Sequence, residues 1–338
     1  MSSRTGAPTL EEVAARAGVS RSTVSRVVNG SPRVASRALA AVEQAIVELG
    51  YAPNRAARSL ATRRSWSIAL VIPENTERFF ADPYFSAVVQ GVADRLAEGE
   101  YTLTLIVSPE ADPERTRAYL RGGSVDGVLV LSHHSGDRSY RDLGDSVPVV
   151  YGGRPENDQS SASYVDIDNQ AAARSITERL IRAGRRRIAT IAGPQDMTAG
   201  VARLTGFRAA LTAAGLDSGR VANGAFTEES GARAMAELLR ADPELDGLVA
   251  ASAQMARGAL EELNAQGRRI PEDVAVVCFD DDHFSRSATP PLTAVAQPTA
   301  DAGRRMAELI LDRIAGREVP ASTILPTSIV ERGSDGLT

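Results

Sequence analysis

The most specific chemistry suggested by this sequence is nucleic-acid recognition by one polar helix face near its start. Five hydrogen-bonding side chains recur there at helical spacing: Arg21, Ser22, Ser25, Arg26 and Asn29. Guanidinium, hydroxyl and carboxamide groups bind phosphate oxygens and the base edges exposed in the major groove of DNA. The segment therefore predicts a helix that reads DNA.

Two short helices are needed to position that face. Thr9 and Glu12 have the spacing of a capping box, Gly18 suits the left-handed residue that ends a helix, and Ser20 is a second N-cap candidate. Apolar residues give each helix a stripe to bury: Leu10, Val13, Ala14 and Ala17 in the first, and Val24, Val27 and Val28 in the second. This pattern predicts a helix-turn-helix, although a helical hairpin with a solvated polar face stays open on geometry alone.

The charge distribution favours the DNA-binding interpretation. Residues 1–64 contain ten arginines and four acids, a balance of +6, whereas the whole chain carries −5 and the remainder therefore −11. A basic N-terminal segment on an acidic body is typical of a DNA-binding module joined to an effector domain.

The N-terminal segment resembles the headpiece of the lactose/galactose repressor family. The resemblance runs without a gap through "TLEEVAARAGVSRSTVSRVVNG" and on through "VEQAIVELGYAPNRAARSLATRRS". It implies a headpiece over residues 1–53, with a third helix at roughly Ser36 to Leu49, and a hinge helix with its linker over residues 54–65. In that family a hinge leucine enters the minor groove at the centre of a palindrome and kinks the duplex. The matching residue is Leu60, with Asn54, Arg55 and Arg58 beside it, and an ordinary linker leucine is the alternative.

Beyond residue 65, apolar runs of strand length alternate with amphipathic segments of helical spacing. The strand candidates are "SIALVIP", "TLTLIVS", "GVLVLS", "PVVYGG", "RIATIAG", "DGLVAAS", "VAVVCFD" and "LTAVAQP". Apolar strands alternating with helices are typical of parallel sheets covered on both faces. The body is therefore expected to be α/β, and its length favours two similar lobes.

This body resembles a periplasmic sugar-binding protein, with a ligand cleft between two lobes. The resemblance implies an effector-binding and dimerisation domain over residues 66–338. Chain crossings are expected near 164–166, 293–297 and 326–329. They give an N-lobe of 66–164 and 297–326 and a C-lobe of 166–293. A ligand in such a cleft lies beyond the carboxyl ends of the strands.

The same resemblance implies two effector-binding residues. It is carried by "YVDIDNQAAA", "RLTGFRAAL", "VAVVCFDDDHFSR" and "TPPLTAVAQP". Arg203 matches an arginine that donates to sugar hydroxyls, and Asp280 matches a carboxylate that accepts from them. A guanidinium has only donors and a carboxylate only acceptors, so the two together suit a polyol. The alternatives are a surface arginine on a helix and an N-cap or surface acid within residues 280–282.

Four aromatic residues cluster in "FFADPYF": Phe79, Phe80, Tyr84 and Phe85. Because this segment follows the first strand of the body, we expect it to face the cleft and stack on the apolar faces of a sugar. Packing of some rings in the core or in a dimer interface is the alternative. The longer stretch "PENTERFFADPYFSAVVQGV" resembles the actinobacterial branch of the family that senses cellobiose or other oligosaccharides, which implies a β-glucoside effector.

Three positions depart from the family's pattern. Ala253 and Gly153 stand where relatives have acids, and Arg185 stands where they usually have histidine. The two missing acids leave the identity of the sugar open, whereas the headpiece is unaffected.

Enzymatic and secretory alternatives find little support in the sequence. Neither a dinucleotide-binding glycine motif, a P-loop, G-x-S-x-G nor H-E-x-x-H is present, so we expect no catalysis, no cofactor and no metal site. Cys278 lies in an apolar strand pattern and predicts a buried structural thiol. With no apolar run of about 18 residues and no signal-like start, we expect a cytoplasmic protein without a membrane partner.

These observations favour a sequence-specific transcriptional regulator, most consistent with a repressor. We expect a homodimer on a palindromic double-stranded DNA operator, released by a small-molecule sugar; tetramer formation and the sign of the sugar response stay open. The expected DNA-binding residues are Thr9, Ser20, Arg21, Ser22, Thr23, Ser25, Arg26, Asn29, Asn54, Arg55, Arg58 and Leu60. A sugar-binding receptor or a sugar-processing enzyme of related α/β fold is the alternative.

Overall fold

The computed structural model of the protein describes residues 8–28, 34–51, 64–108, 113–134, 143–144, 146–156 and 163–337. The chain divides into two compact units, Met1–Ser65 and Trp66–Thr338. The helices described in the first unit are α1 Leu10–Ala17, α2 Arg21–Val28 and α3 Ser36–Leu49. The bounds of α3 are those that the sequence predicts.

The first unit is a helix-turn-helix supported by a third helix. Thr9 Oγ1 accepts from the Glu12 N–H at 3.3 Å and Glu12 Oε2 accepts from the Thr9 N–H at 2.9 Å, which completes the predicted capping box. Gly18 ends α1 at a φ of 67°, a conformation that costs glycine little. The buried core contains Val13, Ala14, Val24, Val42, Ala45 and Tyr51. The helix-turn-helix prediction is confirmed.

The second unit contains two sheets of six described strands each. The strands of the first sheet are β1 Ser67–Ile72, β2 Thr102–Val107, β3 Gly127–Leu131, β4 Val149–Gly152, β5 Ser163–Ile167 and β11 Ser322–Leu325. Those of the second are β6 Ile188–Ala192, β7 Val221–Asn223, β8 Gly247–Ala250, β9 Ala275–Phe279, β10 Thr293–Ala296 and β12 Ser328–Val330. Their orders are β11-β5-β4-β3-β1-β2 and β12-β10-β9-β8-β6-β7.

Helices and core clusters cover both faces of each sheet. The described helices are α4 Thr76–Ala81, α5 Pro83–Ala97, α6 Pro113–Arg121, α7 Asn169–Arg182, α8 Thr198–Ala213, α9 Glu228–Ala241, α10 Ala253–Ala265, α11 His283–Arg286 and α12 Thr299–Ile314. Successive residues of β1 enter different clusters, as Leu70 and Val71 do. In the described ranges, no helix combines the length and apolarity that crossing a membrane requires.

The chain passes between the two sheets after β5, between β10 and α12, and between β11 and β12. We call the part built on the first sheet the N-lobe and the part built on the second the C-lobe. All of β5, up to Ile167, belongs to the N-lobe, and all of β10 belongs to the C-lobe. The first two crossings therefore come after the ends of these strands. The strand pairs are parallel except β12 with β10, which is antiparallel. The predicted two-lobed α/β fold with parallel sheets is confirmed, with this one edge strand reversed.

Glycines allow close contact in three helix pairs of the second unit. A Cβ on Gly91 of α5 would lie 1.9 Å from the Ala300 carbonyl oxygen of α12, and one on Gly258 of α10 would lie 1.9 Å from that of Glu228 in α9. Gly206 of α8 likewise lies against α7. The positions of these helices relative to each other therefore depend on residues without side chains.

Candidate functional site

The polar face of α2 is presented to solvent as predicted. Arg21, Ser22 and Arg26 are exposed, and Ser25 is partly buried. The Ser20 side chain accepts from the Thr23 N–H at 3.2 Å, so Ser20 caps this helix. Val24 is fully buried on the opposite side and fixes which face points outwards. The face combines two guanidinium groups with hydroxyls, a set of groups suited to phosphates and base edges.

One ion pair ties the start of α2 to α1. Arg21 Nε lies 2.9 Å from Glu11 Oε1, with the two side chains 70% and 61% exposed. Such an exposed pair contributes little stability, so Arg21 can exchange Glu11 for a phosphate or a base edge. Five predicted DNA-binding residues lie outside the described residues: Asn29, Asn54, Arg55, Arg58 and Leu60.

A cleft lies between the N-lobe and the C-lobe, and its empty space, including the part that is open to solvent, is about 700 Å³. The polar lining includes Arg78, Asp82, Asp166, Asn169, Arg203, Asp280 and Gln297, and the ring lining includes Tyr84, Phe85, His133 and Phe226. The cleft thus receives side chains from both lobes and from the crossings.

Arg203 is held rigidly at the C-lobe wall of this cleft. Its Nε donates to Asn169 Oδ1 at 2.8 Å, and its Nη1 donates to the Ala251 carbonyl at 2.6 Å. The guanidinium carbon lies 4.0 Å from the centroid of the Phe279 ring. Within the described part of the chain, Nη2 has no hydrogen-bond partner, so it can donate to a ligand. Burial lowers the pKa of Arg203, and the carboxylates of Asp280 and Asp166 oppose that shift.

Asp280 follows β9 directly and has a φ of +73°, a strained backbone for a residue with a side chain. Gln297 Nε2 donates to Asp280 Oδ1 at 2.5 Å, and the backbone N–H of Ala253, the first residue of α10, also donates to this carboxylate. Burial raises the pKa of Asp280, while Arg203 and these hydrogen bonds lower it. The carboxylate is therefore oriented by its neighbours and keeps acceptor capacity for a hydroxyl.

A further pair of lining residues, Asp166 and Asn169, links the two lobes at the cleft. Asp166 accepts from the backbone N–H groups of Arg154 at 2.9 Å and Ile167 at 2.7 Å, and from Asn169 Nδ2 at 3.0 Å. Asn169 in turn accepts from Arg203. Burial raises the pKa of Asp166, and these hydrogen bonds lower it. Sequence reasoning did not assign either residue to the site, although both lie in the quoted stretch "YVDIDNQAAA".

The predicted aromatic cluster is only partly brought to the cleft. Tyr84 and Phe85 line it, whereas Phe79 is 8% exposed in the N-lobe core and Phe80 is 80% exposed to solvent. The reason is that residues 76–81 form α4 rather than an open loop, so neighbouring rings point in different directions. The ring that the sequence did not indicate is Phe226, which has a φ of +58° and packs on Gly193.

The lining therefore combines fixed donors, fixed acceptors and aromatic faces. Arg203 and Gln297 supply N–H donors, Asp280 and Asp166 supply acceptors, and Phe226 supplies a flat apolar surface. A sugar presents hydroxyls around its edge and C–H groups on its faces, so this arrangement suits carbohydrate binding.

We expect Gly206→Ala to weaken both the fold and ligand binding. A Cβ there would lie 2.2 Å from the Gln170 carbonyl oxygen, so α8 must move away from α7 and strain the Arg203–Asn169 hydrogen bond. The expected loss is about 1–3 kcal/mol of unfolding free energy. Denaturant unfolding of the full chain measures it, with exposed Thr205→Ala on the same helix as the matched control; equal stability of the two variants would contradict the prediction.

Two family models match this chain. The model described as bacterial regulatory proteins, lacI family, matches residues 9–54. The model described as a periplasmic binding protein-like domain matches residues 177–334. The first match covers all the described helices of the N-terminal unit, and the second lies mainly on the C-lobe.

Similar proteins cover nearly the whole chain. The HTH-type transcriptional regulator CelR of Thermobifida fusca is 50% identical over 333 residues, covering 97% of this chain and 98% of its own. The HTH-type transcriptional repressor CytR of Escherichia coli K12 is 32% identical over 337 residues, with 97% and 96% covered. Among solved structures, a CelR–cellobiose complex has a TM-score of 0.77 at 48% identity, covering 97% of this chain and 99% of that one. A lac repressor dimer bound to operator and the anti-inducer ONPF has a TM-score of 0.86 at 26% identity, covering 98% and 99%.

Proposed function

This chain belongs to the lacI family of bacterial regulatory proteins, and on that premise we propose that it represses transcription in the cytoplasm as a sugar-released homodimer on a palindromic operator. The relatives it resembles over its full length are regulators and not enzymes. The proposal assigns DNA binding to residues 1–53, a hinge to residues 54–65 and effector binding to residues 66–338.

The exposed face of α2 supports the DNA-binding half of the proposal. Arg21, Ser22 and Arg26 read base edges, and Thr23 and Ser25 contact phosphates, while Thr9 and Ser20 cap the two helices and hold their orientation. In a homodimer, two such helices meet the two half-sites of a palindrome. Leu60 then serves as the minor-groove wedge, Arg55 and Arg58 contact phosphates, and Asn29 and Asn54 are further DNA-binding residues.

The geometry of Arg203 and Asp280 is the observation that carries the effector-binding half. Arg203 is buried and Asp280 is half-buried at one cleft, both are fixed by protein hydrogen bonds, and each keeps hydrogen-bonding capacity towards the cavity. Tyr84 and Phe226 supply rings beside them. Together with the relative whose structure is described as a cellobiose complex, this supports a β-glucoside, and cellobiose first, as the effector.

Release of DNA follows from lobe movement. Sugar binding between Arg203 and Asp280 changes the angle between the lobes and separates the two hinges, so that Leu60 leaves the minor groove. The sugar must bind one lobe arrangement better than the other for this to occur. By linkage, operator DNA must weaken sugar binding by the same factor.

The test is operator release by cellobiose. A palindromic operator is first selected from random oligonucleotides with the full-length protein, and fluorescence anisotropy then follows binding while sugar is added. We expect a shift of about 5–150-fold in operator affinity with cellobiose. Glucose and sucrose serve as control sugars. If the selection yields no palindrome, the DNA-binding proposal is overturned. If it yields an operator whose binding does not respond to cellobiose, only the effector assignment is overturned.

A further inference from the structure

Three charged side chains form a chain across the two lobes outside the ligand-lining surface. Glu74 follows β1 and His134 follows β3 in the N-lobe, whereas Asp196 lies between β6 and α8 in the C-lobe. His134 Nδ1 lies 2.8 Å from Asp196 Oδ2, and His134 Nε2 lies 3.5 Å from Glu74 Oε1. None of the three is part of the cleft lining described above.

Glu74 fixes the N-lobe end of this chain. It is buried at 6% exposure, accepts from Ser132 Oγ at 2.6 Å and from Arg78 Nη1 at 3.0 Å, and so stays ionised beside His134. Burial alone would raise the pKa of Glu74, but hydrogen bonding to His134 and the charge of Arg78 lower it. A buried carboxylate held in this way needs its cationic partners.

The C-lobe end of the chain is next to the ligand-binding helix. Asp196 lies two residues before α8, which carries Arg203. A second contact between the lobes follows at once, because Thr198 Oγ1 donates to the Arg154 carbonyl at 2.6 Å. A third is the Arg78 guanidinium, 5.7 Å from the centroid of the Phe226 ring. The three contacts join the same two cleft walls.

We propose that His134 is a positioning residue which, with Glu74 and Asp196, latches the two lobes in the arrangement seen in this structure, which we call closed, without touching the effector. This inference rests on the proposed function, because it assumes that closure of the two lobes sets the affinity for the effector. Opening the lobes separates His134 from Asp196 but leaves Glu74 and His134 together on the N-lobe. The latch therefore stabilises the closed arrangement only. When only a fraction of the molecules is closed, the apparent affinity for the effector is reduced in proportion to that fraction.

Protonation of His134 is required for this latch. Hydrogen bonding to Glu74, with a smaller contribution from hydrogen bonding to Asp196, raises the pKa of His134 to about 9. Among the described residues, the charged groups facing it are those two carboxylates, with Arg78 behind Glu74. Because the closed arrangement raises this pKa, the latch is present at neutral pH and is lost as the pH rises through about 9.

Asp196→Asn tests the latch because Asp196 is 56% exposed and its loss should leave the fold intact. Nitroxide labels are placed on exposed helix positions of the two lobes through Ala97→Cys and Thr212→Cys, diluted with unlabelled protein. Cys278 is fully buried and does not react. Pulsed electron paramagnetic resonance without sugar should show a longer, broader lobe–lobe distance in Asp196→Asn. Raising the pH from about 7 to about 10 should lengthen and broaden the distance in the same way in the labelled protein that keeps Asp196, which is the parent, and should change nothing in Asp196→Asn.

The matched control is Asp217→Asn, which removes an acid of similar exposure, 60%, that pairs within the C-lobe with Arg220. It should leave the distances unchanged, and Asp196→Glu should restore the parent behaviour. Equal distances in Asp196→Asn and the parent at both pH values would overturn the latch, whatever the effector is.

A second measurement connects the latch to ligand binding. Calorimetric titration with cellobiose at neutral pH should give a dissociation constant about twofold to fivefold higher for Asp196→Asn than for Asp217→Asn. If the parent does not bind cellobiose, the effector assignment fails while the distance measurement still decides the latch. If the parent binds and the two variants bind equally, the latch fails.

Discussion

Arg203→Ala is expected to abolish the response to cellobiose while operator binding persists. The substitution removes the donor that faces the cleft and leaves Asn169 Oδ1 and the Ala251 carbonyl without their guanidinium partner. A hydrogen bond to a charged group contributes about 1.5–3 kcal/mol, so the loss of one or two such bonds to the sugar weakens binding by about tenfold or more. Isothermal titration calorimetry with cellobiose and anisotropy with the operator measure the two properties separately.

Arg208→Ala is the control for that experiment, because it removes an exposed arginine from the same helix. It should keep both cellobiose binding and sugar-dependent release. Unfolding temperatures of both variants establish that the C-lobe is folded. Retention of the cellobiose response in a folded Arg203→Ala protein would mean that the effector binds elsewhere.

The N-terminal unit could be predicted from the sequence almost completely, because its determinants are local. The Thr9–Glu12 spacing, the helix-ending Gly18 and the valine spacing of α2 each act within one or two helical turns. Their agreement with one another makes the local prediction reliable. The predicted hinge at residues 54–61 lies outside the described residues.

The strands of the body were also predicted by their apolar runs, but four were missed for identifiable reasons. β5 alternates buried and partly exposed residues, and β7, β11 and β12 are short edge strands with few buried side chains. None of them has the continuous apolar character that marks a strand buried on both faces. As a result, the first crossing was placed inside β5 rather than after it.

The candidate site shows the opposite limit, since its residues meet only through the tertiary fold. Arg203 and Asp280 were indicated by family resemblance, and Gln297 lies in a quoted stretch without having been assigned a role. Phe226 had no such signal: it lies in a loop after the short β7, and its place at the cleft depends on its left-handed backbone and on Gly193 beneath its ring. Conversely, the spacing of Phe79 and Phe80 suggested stacking rings, and the helical turn of α4 sends them elsewhere.

The second large effect is expected at the DNA. Arg26→Ala should lose about 1–3 kcal/mol of discrimination between the selected operator and random DNA, or about 5–150-fold. Arg26 lies exposed on the polar face of α2 opposite the buried Val24, and it has no ion-pair partner within the described residues. Its guanidinium is therefore available for a bidentate contact with a guanine edge, which alanine cannot replace.

Arg37→Ala is the control that separates base readout from charge. It also removes one exposed arginine from the N-terminal unit, but from α3 and not from the polar face of α2. Removing a phosphate contact weakens binding to all sequences alike and lowers the salt dependence, whereas removing a base contact relaxes the preference at one position of each half-site. Anisotropy titrations of both variants against operator and random duplexes at several salt concentrations distinguish the two. If Arg26→Ala loses operator and random binding equally, Arg26 contacts phosphate, and sequence readout must come from Arg21 and Ser22.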